Sequence, residues 1–259
     1  MQKVTAKIAW ITGGGSGIGQ ALAVRLVREG WKVAVSGRRP EALQETVRLA
    51  GENVYTYPLD VSDLAAMRQT AARVEVDLGT IDLVVLNAGM GQFVKLDNLR
   101  AETFATHMQV NYLGVVNGID AVLASFRQRQ AGHIVIVASV AGYRGVPRAA
   151  AYAPTKAALI NLAESLHFDL EREGIEISVC NPGFVATPMT EGNRFPMPFL
   201  MSVDQAAEAL YRGILKHKFE IAFPKRFAMI LKLFRCLPYA LYFPIVRTFV
   251  GAGRSHRHG

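Results

Sequence analysis

The stretch KIAWITGGGSGIG, residues 7–19, decides the fold of this chain. Ile8–Thr12 is a short apolar run that predicts a buried β-strand, and the glycines after it predict a tight turn that opens a helix. The apolar residues of that helix share one side; they are Ile18, Leu22, Leu26 and Val27. Glycines in such a unit let the backbone approach a pyrophosphate, which the free N–H groups of the helix N-terminus can bind. A glycine-rich turn alone is often only a turn, but its flanking elements make it a prediction of nucleotide binding.

The remaining sequence alternates short apolar runs with longer helical stretches. This alternation predicts the α/β class, with a doubly wound parallel sheet of the Rossmann type, and a hydrophobic content of 51% suits a sheet covered on both faces. The predicted strands are Ile8–Thr12, Lys32–Ser36, Asn53–Leu59, Leu83–Asn87, His133–Ser139, Ile175–Asn181 and Glu220–Phe223. The predicted helices after the first are Glu41–Ala50, Asp63–Leu78, Ala101–Arg129 (two helices, or one with a kink) and Tyr152–Glu173. We expect a single domain over residues 1–224 and a C-terminal extension over residues 225–259.

The contents of cysteine and histidine argue against two kinds of stabilising site. The chain has two cysteines, Cys180 and Cys236, so a disulfide framework is not expected and a reducing compartment is the default. The six histidines show no paired spacing of the kind that metal sites use, so no metal site is expected. The charged N-terminal residues lead straight into the first strand without a signal-peptide pattern. We therefore expect a cytoplasmic protein.

A second motif supplies groups for acid–base chemistry. Tyr152 and Lys156 are spaced as i and i+4, so they share one face of the predicted helix. A free phenol has a pKa of about 10, and a neighbouring ammonium group favours the phenolate and lowers that pKa. Ser139 ends the preceding apolar run, where its hydroxyl could hold a substrate oxygen against the phenol. A Tyr–Lys pair alone is usually a solvated helix face; the glycine motif upstream is what favours a catalytic interpretation.

Together these motifs resemble the short-chain dehydrogenase/reductase family, in its single-domain branch, from about Lys7 to Thr187. The glycine motif of the family appears as Thr12, Gly13, Gly15, Ser16, Gly17, Ile18 and Gly19, and Asp60-Val61 stands where the family contacts adenine. Asn87-Ala88-Gly89 closes the fourth strand, and Pro182-Gly183-Phe184-Val185-Ala186-Thr187 is similar to the segment that closes on the nicotinamide. Two positions depart from the family pattern: Leu86 replaces a frequent Asn, and Pro154 stands between Tyr152 and Lys156. Since proline is tolerated in a first helical turn, we expect the helix to begin just before Tyr152.

The resemblance implies an oxidoreductase that transfers hydride between a nicotinamide cofactor and a carbonyl or alcohol carbon. It implies that Tyr152 transfers the proton of the substrate oxygen, which Ser139 orients. Lys156 would lower the Tyr152 pKa and hold the nicotinamide ribose, and Asn111 would support a water that connects Lys156 to solvent. The family also implies a homo-oligomer, assembled through the two long helices Ala101–Arg129 and Tyr152–Glu173.

The end of the second predicted strand indicates which nicotinamide cofactor binds. NAD sites usually place Asp or Glu there, about 20 residues after the glycine loop, to bind the ribose hydroxyls. This chain has Ser36-Gly37-Arg38-Arg39-Pro40, without an acid. An acid would repel the extra phosphate of NADP, whereas guanidinium groups bind it through paired hydrogen bonds. We therefore expect NADP(H), with Arg38 as the more direct ligand and Arg39 beside it, over the alternative of two solvated loop charges.

The segment after Thr187 predicts the substrate side of the site. Its apolar residues are Met189, Phe195, Met197 and Phe199, which indicate either a lid at about residues 187–201 or simple packing onto the domain. An apolar lid favours a lipophilic or acyl-chain carbonyl substrate. Arg144 and Arg148, between Ser139 and Tyr152, could meet an anionic substrate group, although loop arginines are more often solvated.

The positive charge of the chain is concentrated in its C-terminal part. The net charge is +8, yet from Arg212 onward there are ten Lys and Arg against one acid, Glu220, so the preceding part is close to neutral. Phe227–Leu237 predicts an amphipathic helix, and Pro238 and Pro244 are expected to interrupt the aromatic segment that follows. Charges and prolines argue against a membrane-spanning helix, whereas a basic, aromatic segment over residues 225–250 suits the inner face of an anionic membrane. The alternatives are an oligomer contact or a cap over the substrate pocket; no motif supports nucleic-acid binding.

Two other functions use the same features. The fold could serve as a nonenzymatic NADP-binding scaffold or sensor, because fold does not dictate function. The extension could also make the chain a membrane-surface module with secondary catalysis. The set of Asn111, Ser139, Tyr152 and Lys156 favours the enzyme, since a scaffold needs none of them.

Overall fold

The computed structural model of the protein describes residues 6–92, 94–192 and 196–251. Its strands are β1 (Ile8–Thr12), β2 (Lys32–Gly37), β3 (Val54–Pro58), β4 (Leu83–Leu86), β5 (His133–Val137), β6 (Glu176–Pro182) and β7 (Glu220–Phe223). They form one parallel sheet in the order β3-β2-β1-β4-β5-β6-β7. The chain builds outward from β1 on one side and from β4 on the other. The predicted doubly wound parallel sheet is confirmed, and its switch point lies between β1 and β4, where such sheets bind ligands at the carboxyl ends of the strands.

Helices cover both faces of this sheet. They are α1 (Gly17–Arg28), α2 (Pro40–Ala50), α3 (Leu64–Leu78), α4 (Ala101–Met108), α5 (Gly114–Arg129), α6 (Ala153–Arg172), α7 (Pro188–Glu191), α8 (Val203–Leu215), α9 (Lys225–Cys236) and α10 (Tyr239–Gly251). The predicted helix over Ala101–Arg129 is interrupted by a π-helical turn at Gln109–Leu113, which joins α4 to α5. The start of α6 agrees with the sequence prediction: Tyr152 is the N-cap and Pro154 lies in the first turn, where its missing N–H costs no hydrogen bond.

The two faces of the sheet carry separate apolar clusters. One cluster contains Trp10 of β1 and Phe126 of α5, and the other contains Leu22 of α1 and Leu210 of α8. Leu86, which replaces the frequent Asn of the family, is buried in the first cluster. A Cβ at Gly118 would lie 2.3 Å from the Leu86 side chain, so α5 packs directly on this leucine. The departure at Leu86 therefore serves the packing of α5 on β4.

The C-terminal extension folds as two helices that pack on the domain. Ala228 of α9 and Tyr242 of α10 are buried, and Phe227 and Leu231 pack against the first apolar cluster. Pro238 separates α9 from α10 as expected. The expected interruption at Pro244 was wrong, because this residue lies inside α10. The helix continues there although it lacks the hydrogen bond of the missing N–H and has to accommodate the proline ring beside the carbonyl four residues earlier. Within the described ranges, none of the helices is both long and apolar enough to cross a membrane.

Candidate active site

The glycine-rich turn forms a narrow backbone cradle at the switch point of the sheet. Gly13 and Gly17 have positive φ values of 68° and 56°, which L-residues rarely adopt. A Cβ at Gly13 would lie 2.8 Å from the Cα atom of Ala88, and one at Gly19 would lie 2.5 Å from the Gly13 carbonyl oxygen. Ser16 is the N-cap of α1 but makes no side-chain cap hydrogen bond. The N-terminal N–H groups of α1 can therefore bind the phosphates of a ligand.

Two side chains hold this turn in place from β1 and β4. The buried Thr12 hydroxyl accepts hydrogen bonds from the backbone N–H groups of Asn87 and Ala88, both at 3.1 Å. The Asn87 side-chain amide donates to the carbonyl oxygens of Thr12 and Gly13, also at 3.1 Å. Thr12 and the Asn87 amide thus fix the shape of the cradle instead of pointing toward a ligand. For both, the structure supports a positioning function at the predicted cofactor site.

A cavity of about 180 Å³ opens beside the cradle. It brings together nine of the twenty predicted cofactor residues, and these nine come from four separate parts of the chain. Its lining includes Gly13, Gly15, Ser16, Arg38, Arg39, Asp60, Val61, Ala88 and Gly89, and also Met90 and Val110, which the sequence did not single out. Ser139, Tyr152 and Lys156 do not line this cavity. It therefore fits the adenosine and phosphate part of a dinucleotide, with the reactive groups farther along the edge of the sheet.

Two positively charged residues follow β2, where the extra phosphate of NADP is expected to bind. Arg38 and Arg39 follow β2 directly, are both exposed and line the cavity. Asp60, across the cavity, accepts hydrogen bonds from the backbone N–H of Ser62 at 2.9 Å and from its hydroxyl at 2.7 Å. The Ser62 backbone bond lowers the pKa of Asp60 most, and the nearby Arg38 guanidinium lowers it further. Asp60 is therefore a carboxylate held toward its own loop, and Arg38 is the cation next to it.

Asn111 is buried in the π-helical turn between α4 and α5. Its side-chain oxygen accepts from the Met90 N–H at 2.8 Å, and its amide donates to the Met90 carbonyl at 2.9 Å and to the Thr155 hydroxyl at 3.1 Å. Thr155 in turn donates to the Tyr152 carbonyl at 2.7 Å. Turns of π-helix are frequent at functional sites. Here the turn places Asn111 so that it connects the loop after β4 to the N-terminus of α6, which carries Tyr152.

Tyr152 and Lys156 lie together at that N-terminus. The Lys156 ammonium is buried, donates to the Val137 carbonyl at 2.8 Å and lies 5.6 Å from the centroid of the Tyr152 ring. Burial lowers the pKa of Lys156 to about 8. Burial also raises the pKa of Tyr152, and a hydrogen bond with Ser139 opposes this rise. Burial of the phenol outweighs the lowering of the Tyr152 pKa expected from Lys156, because the ammonium lies over the ring instead of at the hydroxyl.

Ser139 connects these residues to the segment after β6. It caps the short 3₁₀ turn Val140–Gly142, where its hydroxyl accepts from the Ala141 N–H at 3.1 Å. The same hydroxyl lies 3.4 Å from the Pro182 carbonyl, to which it can donate. Strand β5 ends at Val137, two residues earlier than predicted, so Ser139 belongs to the loop above the sheet. Its hydroxyl is thus fixed beside the Tyr152 phenol.

The predicted lid starts next to the glycine turn and is closed by a short backbone bridge. A Cβ at Gly17 would lie 3.1 Å from the Thr187 methyl group, and Thr187 caps α7 through reciprocal hydrogen bonds with Thr190. Val185 and Met201 form an isolated parallel bridge, which joins the two ends of the lid. A Cβ at Gly91 would lie 3.3 Å from the Met189 sulfur and 3.6 Å from the Tyr152 ring, so Met189 lies close to Tyr152. Phe195 lies outside the described residues, as do its two predecessors in the chain.

The extension completes the wall behind the lid. Phe227 of α9 packs between Phe184 and Phe199, with ring centroids 5.6 and 5.8 Å apart. A Cβ at Gly183 would lie 2.9 Å from the Phe227 ring, so α9 presses on the segment expected to close on the nicotinamide. Sequence reasoning assigned Phe227 to a separate extension. The structure places it beside the lid, which agrees with the alternative that the extension caps the pocket.

Arg144 holds the extension against the loop between Ser139 and Tyr152. One of its guanidinium nitrogens, Nη1, donates to the carbonyl oxygens of Phe234, Arg235 and Leu237, at 2.5, 3.1 and 2.7 Å. The guanidinium also lies 3.8 Å from the centroid of the Tyr242 ring. A cation at the C-terminus of a helix is favourable because it meets the negative end of the helix dipole. Arg144 is therefore a structural cap of α9 and not the anion-binding group that was considered; Arg148 is exposed.

A second contact connects the extension to β7. Glu220 accepts hydrogen bonds from the Tyr143 hydroxyl at 2.6 Å and from the Asn181 amide at 3.0 Å, and it pairs closely with Lys232 of α9. The sequence offered Glu220 only as the single acid of a basic region. The contacts could not be found from the sequence, since they join residues far apart in the chain.

The sequence and the fold of this chain are similar to those of known proteins. The sequence model described as short chain dehydrogenase matches residues 7–196. An uncharacterised oxidoreductase of Myxococcus xanthus is 36% identical over 245 residues, which cover 93% of this chain and 97% of that protein. A short chain dehydrogenase/reductase from Burkholderia phymatum in complex with NAD superimposes with a TM-score of 0.81 at 26% identity, over 90% of this chain and 94% of that one. A variant of actinorhodin polyketide ketoreductase with NADPH superimposes with a TM-score of 0.77 at 26% identity, over 86% and 97%.

Proposed function

The chain belongs to the short-chain dehydrogenase/reductase family of oxidoreductases, and we propose that it uses NADPH to reduce a carbonyl group, or NADP to oxidise the matching alcohol. The observation that carries this proposal is the meeting of Ser139, Tyr152 and Lys156 at the edge of the sheet that also holds the glycine cradle. The cradle fits a dinucleotide because added Cβ atoms would fill it and the N-terminus of α1 is free to bind phosphate.

In the proposed reaction the protein positions the substrate oxygen and moves its proton. The cofactor, when bound, supplies or accepts the hydride. Tyr152 carries a proton at its phenolic oxygen, since burial raises its pKa, and gives that proton to the carbonyl oxygen during reduction. Ser139 donates a hydrogen bond to the same oxygen and so holds it against the phenol. Lys156, beside the ring, stabilises the phenolate that remains.

Asn111 acts on this reaction through other residues. Its two side-chain N–H bonds go to the Met90 carbonyl and the Thr155 hydroxyl, and its side-chain oxygen accepts from the Met90 N–H, so a water that leads to Lys156 would bind the second lone pair of that oxygen. We propose that Asn111 also positions Tyr152, because Thr155 donates a hydrogen bond to the Tyr152 carbonyl.

The choice of NADP is supported by the cations at the end of β2. Arg38 and Arg39 line the cavity where the adenosine ribose of a dinucleotide would lie, and β2 ends without an acid. The one carboxylate in that cavity, among the residues described, is Asp60, which is turned to Ser62. A guanidinium binds a phosphate through paired, charge-assisted hydrogen bonds, so Arg38 favours the 2′-phosphate of NADP.

The substrate side supports an apolar or acyl-chain carbonyl compound. Met189 and Phe199, on the lid, are about half exposed, and Phe227 presents an aromatic wall behind them. Such a surface favours a substrate with a hydrocarbon part, because burial of each CH₂ group contributes about 0.8 kcal/mol.

The experiment that tests the proposed function measures NADPH and NADH consumption with a panel of carbonyl compounds, from small diketones to long-chain keto lipids. The proposal expects turnover with NADPH and a higher kcat/KM for the longer chains. Tight NADPH binding without turnover on the whole panel would favour the alternative of a nonenzymatic scaffold or sensor.

A specific surface favours a second function, peripheral binding to an anionic membrane. The apolar face predicted for α9 consists of Phe227, Ile230, Leu231 and Phe234. Of these residues, Phe227 and Leu231 pack against the first apolar cluster of the domain. Met229 and Leu233, together with Ile230 of the predicted apolar face, form a stripe at helical spacing that is exposed to solvent. Exposed aromatic and apolar residues of α10 continue it, namely Tyr239, Leu241 and Phe243. Exposed cations flank the stripe at Lys225, Arg226, Arg235 and Arg247, so its charge suits the inner face of a membrane in the cytoplasm.

Replacing both Met229 and Leu233 by Asp is expected to reduce sedimentation with anionic vesicles by at least about tenfold, because two apolar side chains would no longer enter the lipid. The matched control is Val76→Asp combined with Leu96→Asp, which changes two apolar residues elsewhere that are even more exposed. If both double variants sediment like the unchanged protein, the stripe does not bind membranes. Point substitutions are preferable to removal of the extension, which would take Phe227, Ala228 and Leu231 away from the first apolar cluster.

We also propose a homo-oligomer assembled through α4, α5 and α6. This region exposes Met108 at the end of α4, Leu113 in the π-helical turn and Phe168 of α6, and Phe168 is 66% accessible to solvent in the single chain. We expect an oligomer in sedimentation velocity, and we expect Phe168→Glu to shift it toward the monomer, because a charge would be buried in the interface. A monomer at all concentrations would contradict this proposal.

A further inference from the structure

Three potential metal ligands meet at the amino ends of the strands, on the side of the sheet opposite the candidate active site. His133 begins β5 and Glu176 begins β6, and these two residues are direct neighbours in the register of the sheet. His217 lies in the turn between α8 and β7, with a positive φ of 49°. One ligand atom from each of the three lies within 4.8 Å of the other two. No sequence motif indicates this cluster, because its successive members are separated by about forty residues in the chain.

The hydrogen bonds fix which nitrogen of His133 carries the proton. The Ser178 hydroxyl donates its only hydrogen to the Lys218 carbonyl, at 2.7 Å. The contact of 2.7 Å between His133 Nε2 and the Ser178 oxygen must therefore use a proton on Nε2. In the neutral ring this leaves a lone pair on Nδ1, which faces the Glu176 carboxylate at 3.8 Å. Two acceptors thus face each other without a proton between them, which is the arrangement that a cation stabilises.

The surroundings of His133 resemble those of a metal-binding imidazole. Histidines that bind metals almost always donate their second N–H to an oxygen that fixes the orientation of the ring, and Ser178 does this here. His133 is buried, and its bond to Ser178 holds the ring in one orientation. Glu176 and His217 are exposed and can adjust their positions.

We propose that His133, Glu176 and His217 bind one Zn²⁺ ion, with water as the fourth ligand. Zinc prefers tetrahedral sites with imidazole and carboxylate ligands at about 2.0–2.2 Å, which places two ligand atoms roughly 3.4 Å apart. The 3.8 Å between His133 Nδ1 and the Glu176 oxygen is close to this separation. The contact between His217 Nδ1 and the same oxygen is a hydrogen bond in the structure, and the exposed His217 ring has to move outward to admit the ion.

The site would add a link among three elements that the sheet and the Ser178 hydroxyl already connect through hydrogen bonds. Zinc at this position links the starts of β5 and β6 to the turn before β7, and β7 carries Glu220, which pairs with Lys232 of the extension. Its function is then structural, and it does not depend on the proposed reaction. The expectation of no metal site was drawn from spacing along the sequence, which a cluster of this kind does not show.

The test measures Zn²⁺ binding by titration calorimetry on the full chain after treatment with a chelator. All proteins compared carry His256→Ala and His258→Ala, because these two histidines lie outside the described residues and could bind zinc themselves. We expect one Zn²⁺ per chain, a thermal midpoint several degrees higher in Zn²⁺ than in chelator, and a tetrahedral visible spectrum when Co²⁺ replaces zinc.

Two variants separate this site from other zinc binding. Glu176→Gln and His217→Asn are each expected to weaken Zn²⁺ binding by about 100-fold, whereas the matched control Glu171→Gln, an exposed acid on α6, leaves it unchanged. Asn at position 217 tolerates the positive φ, so folding is preserved. The proposal is overturned if the chain binds no Zn²⁺, if both variants bind it as tightly as the control, or if Mg²⁺ raises the thermal midpoint equally.

Discussion

Tyr152→Phe is expected to lower kcat by about 10³-fold, within the range of about 10²–10⁴ that general acid–base catalysis contributes. The variant removes only the phenolic oxygen, which is the group proposed to exchange the proton of the substrate oxygen. The ring remains, so the contact with the Lys156 ammonium at 5.6 Å from its centroid is retained. The dissociation constant for NADPH, measured by fluorescence titration, is therefore expected to stay within about twofold, which is roughly 0.4 kcal/mol.

Tyr55→Phe is the matched control, because it removes a hydroxyl from the edge strand β3 at a position that does not line the cofactor cavity. It should retain normal kcat. Appreciable turnover by Tyr152→Phe, above a tenth of the unchanged enzyme, would show that another group transfers the proton. A parallel loss of NADPH affinity would show instead that the substitution disturbs the site, and kcat could then not be interpreted.

The fold could be predicted from the sequence because its signals are local. Ile8–Thr12 and the glycines that follow are adjacent in the chain, and their strand, turn and helix form as predicted. The positions of Tyr152 and Lys156 at the start of α6 were equally accessible, since Pro154 marks a first helical turn. Strand ends were less accurate: β5 stops at Val137 instead of Ser139, because its pairing with β6 and not its own composition decides where it ends.

Contacts between distant segments could not be predicted in the same way. The π-helical turn at Gln109–Leu113 has an ordinary helical sequence, and it is defined by the contacts that Asn111 makes with Met90 and Thr155. The local sequence of Arg144 predicts only a loop cation, because its hydrogen bond to the Phe234 carbonyl joins residues 90 positions apart. The net direction of the Tyr152 pKa could not be predicted for a related reason, because helical spacing brings Lys156 to the ring but does not predict how deeply both groups are buried.

The faces of α9 show the same limit of sequence patterns. Periodicity identified an amphipathic helix at Phe227–Leu237, and α9 forms at Lys225–Cys236. The pattern could not tell which apolar residues meet the domain. Packing uses Phe227 and Leu231, and it leaves Met229 and Leu233 exposed. The apolar stripe proposed to bind a membrane therefore consists of residues that stay exposed when α9 packs on the domain. Only the structure could identify these residues.

Arg38→Asp is expected to reduce the preference for NADPH over NADH by about 10²-fold or more. A hydrogen bond to a charged group contributes about 1.5–3 kcal/mol, and every 1.4 kcal/mol corresponds to about tenfold in affinity. The substitution removes such bonds to the 2′-phosphate and adds a carboxylate that repels it. The same carboxylate can accept hydrogen bonds from the ribose hydroxyls of NADH, so the affinity for NADH should rise as that for NADPH falls.

The measurement is the ratio of the two dissociation constants, because it cancels general damage to the cavity. Arg28→Asp, at the exposed end of α1, is the control for the change in net charge, and it should leave the ratio unchanged. Arg39→Asp tests the neighbouring cation, which also lines the cavity, and a smaller effect is expected there. An unchanged ratio in Arg38→Asp would remove the argument for NADP. Asp60 is turned to Ser62, and the absence of an acid after β2 would then not distinguish NADP from NAD.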